Sequence, residues 1–83
     1  MSNIERIRIL SLLVKKELTV SEIADYLEIS IKRASYHLLR LENVGLAKRR
    51  YRWRWVYYLI NSKAKNRYLK AIVDIFKKSF HHS

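Results

Sequence analysis

The sequence predicts a mainly α fold carrying one small β-hairpin. Two observations lead there. Apolar residues recur at helical spacing in four segments, and one stretch between them, "LAKRRYRWRWVYYLI", alternates with period two and is rich in aromatic and branched residues. The chain has no proline, and its single glycine, Gly45, falls where the third helical pattern stops. At 83 residues it is expected to form one domain, near the lower size limit for a self-sufficient core and helped by self-association.

The first helix is expected over residues 3–14, with Ser2 or Asn3 able to cap it. Ile4, Ile7, Ile9, Leu10, Leu12, Leu13 and Val14 leave only a narrow polar strip through Arg8, Ser11 and Lys15. A helix apolar nearly all round is covered on more than one side. The second helix, residues 20–27, opens on a capping box of Thr19 and Glu22 and turns Ile23, Ala24 and Leu27 inward. Glu22, Asp25 and Glu28 fall outward with no histidine among them, so they read as a solvated face rather than an acid–base or metal site.

Ser30 is placed to cap a third helix over residues 31–44. Ile31, Ala34, Leu38 and Leu41 share one face, and Lys32, Arg33, Tyr36, Arg40 and Asn43 share the opposite one. Gly45 suits the left-handed residue that ends a helix. The hairpin follows over residues 46–60, with its turn expected near Tyr51–Trp53 as a loop longer than two residues, since no glycine is available there. Asn61 or Ser62 then opens a last helix over residues 63–80. Its stripes Leu69, Ile72, Val73, Phe76, Phe80 and Ala64, Tyr68, Ala71, Ile75 together exceed what one contact surface needs.

Charge is unevenly spread. Residues 1–31 carry four basic and five acidic side chains, and residues 32–83 carry fourteen and two, so almost all of the net +11 lies in the last two thirds. Such a field suits a polyanionic partner. With no cysteine, neither a disulfide nor a thiolate metal site can form. No apolar run approaches the roughly 18 residues of a membrane span, and no signal peptide is visible, so a cytoplasmic, DNA-associated protein is expected. An enzyme is the weakest reading: there is no Gly-rich phosphate loop, no cysteine nucleophile and no histidine grouped with carboxylates. No cofactor site is expected.

The order helix, helix, short turn "EIS", helix, basic hairpin, helix is that of a winged helix-turn-helix, whose second turn-flanking helix enters the DNA major groove. From about Ile4 to Phe80 the chain resembles the arsenical-repressor (ArsR) family of winged-helix regulators. The resemblance rests on "ELTVSEIADYL", "SIKRASYHLLRLENVGL" and "WVYYLI", through Ser30, Ser35, His37, Leu38, Leu41, Gly45 and Leu46 and then Trp55, Val56, Tyr58 and Ile60. Metal-sensing members carry a Cys-x-Cys-type motif before the recognition helix. Here Thr19 and Ser21 stand there, and hard hydroxyls do not replace thiolates for a soft metal. A second family site uses Asp and His on the last helix. Only Asp74 is available, with His81 and His82 at the terminus at the wrong spacing, so no metal is expected.

The resemblance places Lys32, Arg33, Ser35 and Tyr36 where the family reads DNA, with Ser30 on a phosphate. Arg33 has the two donors that guanine O6 and N7 accept, and Lys32 and Arg40 suit phosphates. Tyr36 stands where the family often has arginine, and is left between a phosphate and a thymine methyl. The bland alternative for all of these is a solvated basic face. His37 lies at the edge of the apolar face and reads as a packed, hydrogen-bonded histidine rather than a ligand or base.

In the hairpin, Lys48, Arg49, Arg50, Arg52 and Arg54 would meet a narrow minor groove or phosphates, unless they serve only to keep an edge soluble. Alternation turns Val56, Tyr58 and Ile60 inward and leaves Trp55 and Tyr57 outward, packing across strands with Arg49 over a ring. Trp53 is left undecided between packing and stacking on a base.

The first and last helices build the dimer in the family, which implies an interface through Ile9, Leu12, Leu69, Ile72, Val73, Phe76 and Phe80. A two-fold dimer sets two recognition helices about 34 Å apart. The expected function is thus a homodimeric, sequence-specific regulator of double-stranded DNA, acting as a repressor by occupancy. The alternatives are a sequence-neutral architectural or single-strand binder, motivated by the arginine–aromatic hairpin, and a module for an acidic protein or membrane surface. The cysteine-free, Ile/Lys/Arg/Tyr-rich composition suits an archaeon or its viruses.

Overall fold

A computed structural model describes residues 2–63, with side chains from Ile4 onward. The expected last helix, with Leu69, Ile72, Val73, Phe76 and Phe80, lies outside the described residues. The elements are α1 (Ser2–Lys15), β1 (Leu18–Thr19), α2 (Val20–Leu27), α3 (Ile31–Asn43), β2 (Ala47–Arg52) and β3 (Trp55–Ile60).

Local chemistry explains where the helices start and stop. Thr19 and Glu22 form the reciprocal capping box: the Glu22 N–H donates to Thr19 Oγ1 at 3.2 Å and the Thr19 N–H to Glu22 Oε1 at 2.9 Å. Ser30 caps α3 by accepting the Arg33 N–H at 3.0 Å. Both helices of the central pair end in the same way. At the end of α3 the Leu46 N–H reaches the Leu41 carbonyl and the Gly45 N–H the Glu42 carbonyl, with Gly45 at φ +81°. At the end of α2 the Ile29 N–H reaches Ala24 and the Glu28 N–H reaches Asp25, with Glu28 at φ 58°. Each is a Schellman closure, and glycine serves only that of α3.

The core joins Ile9, Leu10 and Leu13 of α1, Leu18 of β1, Ile23, Ala24 and Leu27 of α2, Ala34, Leu38 and Leu41 of α3, and Leu46 and Ala47 at the hairpin's base. Tyr58 and Ile60 pack against it from β3. Ile9, expected between two copies, is 0% exposed and belongs to the protomer's own core. Leu12 packs partly against that core, and the exposed apolar residues of α1 are Ile4 and Ile7. Ile31 is exposed rather than inward: it is the first residue of α3, one turn ahead of Ala34, where the helix's buried face begins.

The hairpin belongs to a three-stranded antiparallel sheet of order β1-β3-β2. Leu18 and Thr19 pair with Tyr58 and Tyr57, and Ala47 through Arg52 pair with Ile60 through Trp55. β1 escapes any alternation test because it is two residues long. The hairpin turn is two residues, Trp53 and Arg54, not the longer loop expected, because Arg54 takes the left-handed conformation itself at φ 59°. Val56 is exposed, since that end of the hairpin reaches past the core.

Candidate nucleic-acid interface

The helix-turn-helix fixes one face of α3 and leaves the other open. Ala34, His37, Leu38 and Leu41 are buried, while Lys32, Arg33, Ser35, Tyr36 and Arg40 are exposed, as is the cap Ser30. All six polar positions expected to meet DNA on this helix and its cap therefore reach solvent. Ser30 keeps a free hydroxyl hydrogen for a phosphate, since its oxygen is what accepts from Arg33. Arg40 donates to the Tyr36 hydroxyl at 3.2 Å, with its guanidinium 5.6 Å from the ring centroid, so these two act as one unit.

Arg33 does not stand alone. Its Nε donates to Glu5 Oε1 at 2.8 Å, and the same oxygen lies 2.7 Å from His37 Nε2. His37 is 2% exposed, and its Nδ1 has no partner among the described residues. These contacts fit the tautomer with the proton on Nε2, which makes Nδ1 an idle acceptor rather than a stranded donor. Burial pushes the Glu5 carboxyl up, but hydrogen bonds from His37 and Arg33 and their charges outweigh it, holding the group below its ordinary value.

On the hairpin, Lys48, Arg49, Arg50, Arg52 and Arg54 are all exposed. Three arginines are held by carboxylates from other elements. Arg49 Nε donates to Glu42 Oε2 of α3 at 2.9 Å, a contact that raises the already high Arg49 pKa. Glu17, between α1 and β1, pairs through Oε2 with Arg50 Nη1 at 3.3 Å, while its buried Oε1 lies 3.8 Å from Arg52 Nη1, close enough for an ion pair but not for a hydrogen bond. Arg49 was expected over an aromatic ring. Instead Arg52 lies over Tyr57 at 5.6 Å and Arg54 over Trp55 at 5.2 Å. Trp53, at the turn, is 81% exposed and meets no ring among the described residues.

Sequence reasoning missed Glu5, Glu17 and Glu42, which sort the arginines into held and open ones. Their only signal was the presence of acidic residues in a basic chain. The donors at the start of α2 do not fit a soft metal. Thr19's hydroxyl oxygen accepts from Glu22 in the capping box, and neither it nor Ser21 supplies a thiolate. Among the described residues no helix is long and apolar enough to cross a membrane.

Two helices meeting at a tight turn, with the second one's polar face open and a basic hairpin after it, define the winged helix-turn-helix class of DNA-binding domain. Residues 5–49 match the arsR family of bacterial regulatory proteins, and the chain belongs to that family. It is therefore a transcription regulator with a winged helix-turn-helix DNA-binding domain, in a family of regulators rather than enzymes. Over 80 residues it is 31% identical to the transcriptional activator HlyU of Vibrio cholerae, covering 96% of this chain and 70% of that protein. The V. cholerae HlyU structure superposes with a TM-score of 0.76 at 31% identity, covering 96% and 83% of the two chains. A homodimeric winged helix-turn-helix DNA-binding domain of Mycobacterium bovis Mb0332, a possible ArsR-family regulator, superposes with a TM-score of 0.70 at 26% identity, covering 92% and 64%. These relatives are bacterial and lend no support to the archaeal or viral host suggested by composition.

Proposed function

We propose that this chain is a homodimeric regulator that recognises a specific duplex site, with the first turns of α3 in the major groove and the hairpin on the minor groove or phosphates. The observation that carries the reading is the division of α3: Lys32, Arg33, Ser35 and Tyr36 are open along one side while Ala34, His37 and Leu38 lock the other to the core. In this reading Arg33 reads a guanine, while Ser30, Lys32, Arg40 and the hairpin's Arg49, Arg50, Arg52 and Arg54 meet the backbone.

Self-association is supported by the wide apolar arc of residues 63–80 in the sequence, by the exposed Ile4 and Ile7 of α1, and by the homodimeric state of the M. bovis relative. Regulation follows from occupancy: a site overlapping the promoter gives repression, and the same surface serves activation where the site lies upstream. The V. cholerae relative is named an activator.

Selection of duplexes from a random pool at moderate salt, read with the stoichiometry of the complex, tests this. Enrichment of a pseudo-palindrome bound by two chains is expected. A pool that yields no preferred sequence would favour the sequence-neutral alternative, and tighter binding to single strands would point to the aromatic hairpin as a stacking platform.

A further inference from the structure

We infer that Glu5, on α1 and outside the recognition helix, is the positioning residue for base reading: anchored by the buried His37, it grips Arg33 by Nε and leaves both terminal nitrogens available to a base. This deepens the proposed reading of Arg33 and rests on it.

An arginine that reads guanine needs two parallel donors aimed at O6 and N7. A free arginine side chain on a helix surface samples many rotamers, and fixing it costs entropy at the moment of binding. Arg33 is 55% exposed, so packing alone does not fix it. Among the described residues its one side-chain hydrogen bond goes from Nε to Glu5 Oε1 at 2.8 Å, and neither terminal nitrogen is bonded. That choice of atom matters. Holding Nε leaves the end of the guanidinium, with its paired terminal donors, available for a base edge.

The carboxylate is itself fixed. Glu5 is only 16% exposed, and its Oε1 lies 2.7 Å from Nε2 of His37, whose ring is 2% exposed within the core face of α3. Orientation therefore passes from the core, through His37 and Glu5, to Arg33. Glu17 makes the contrasting arrangement: it takes Arg50 and Arg52 by their terminal nitrogens, the atoms a phosphate would need.

The test uses the full chain and the duplex obtained by selection, compared with duplexes in which one guanine at a time is replaced. The readout is the affinity ratio at the guanine whose replacement Arg33→Ala no longer senses. A bidentate arginine–guanine pair is worth about 5- to 150-fold there. Glu5→Gln is expected to bring that ratio below about fivefold. It should change the ratio no further in an Arg33→Ala background, and overall affinity should hold or rise, because a negative charge has been removed. Glu5→Asp keeps the charge but withdraws the oxygen, and should also reduce the ratio should Glu5→Gln not fold.

A merely structural Glu5 would shift all sequences together and leave the ratio intact. An intact ratio in folded Glu5→Gln, with Arg33→Ala still abolishing it, overturns the inference and spares the reading of Arg33. If Arg33→Ala preserves the ratio at every guanine, the base-reading assignment falls and the inference with it.

Discussion

Glu17 offers a direct perturbation of the hairpin's charge. Its single negative charge is shared by two arginines, Arg50 at 3.3 Å and Arg52 at 3.8 Å, each through a terminal nitrogen. Both arginine side chains are more than half exposed while Glu17 is 28% exposed, so each pair is screened from the arginine side and weakened by salt. Exposed ion pairs of this kind are worth about 0.2–1 kcal/mol each, so releasing both is worth roughly 0.4–2 kcal/mol. If the arginines exchange Glu17 for phosphates on binding, Glu17→Gln removes that cost and DNA affinity rises by about 2- to 30-fold. Fluorescence anisotropy with the selected duplex over a salt series measures it. The gain should be largest at low salt. Arg50→Ala and Arg52→Ala should each flatten the log–log salt slope by about 0.9, for all sequences alike. Weaker binding by Glu17→Gln would refute this reasoning, because it would mean that Glu17 holds the hairpin in its binding posture rather than competing with DNA.

Three further outcomes are expected. Glu28→Gly should stabilise the fold: relief of the left-handed strain, about 1–2 kcal/mol, exceeds glycine's entropic cost of roughly 0.5–1 kcal/mol, and the thermal midpoint should rise by a few degrees. Leu38→Ala, at a position 0% exposed, should cost about 2–5 kcal/mol in denaturant unfolding, against roughly 4–12 kcal/mol for a domain of this size. Glu5 titrates below its ordinary value of 4.5, so its stabilising effect is complete above that pH and is lost as pH falls through the lowered value. The difference in thermal midpoint between wild type and Glu5→Gln should therefore be constant near neutrality and close in acid; a gap that widens on acidification would contradict the sign.

Local rules made much of the fold legible. The Thr19–Glu22 box, the Ser30 cap and the Gly45 stop are each decided by neighbours within a few residues, and each stands where the sequence places it. Periodicity was less complete, because it assigns a face but not a height. Ile31 and Val56 lie on the inward faces of their elements yet beyond the core's edge, and Ile9 lies so far inside it that no surface remains for a partner. The hairpin turn was misjudged because absence of glycine argues for a longer loop, whereas Arg54 accepts the left-handed conformation.

In the interface, the sequence distinguishes basic positions but not their partners. Glu5 and Arg33 are 28 residues apart, and only the packing of α1 across α3 brings them together. Composition therefore gives the sign of the field, and tertiary structure decides which arginines are spoken for.

The pairing of β3 separates the hairpin into a base and an overhang. Thr19 and Leu18 brace Tyr57 and Tyr58, whereas among the described strands the pairs Tyr51–Val56 and Arg52–Trp55 have only each other. The overhang can thus change length while the braced base keeps its register. Two residues added to each strand extend its reach by about 7 Å and return every side chain to its original face; one added to each turns the arginines over. Lineages diverging from this sequence are free to adjust how far around the double helix the hairpin grips, but only in even steps.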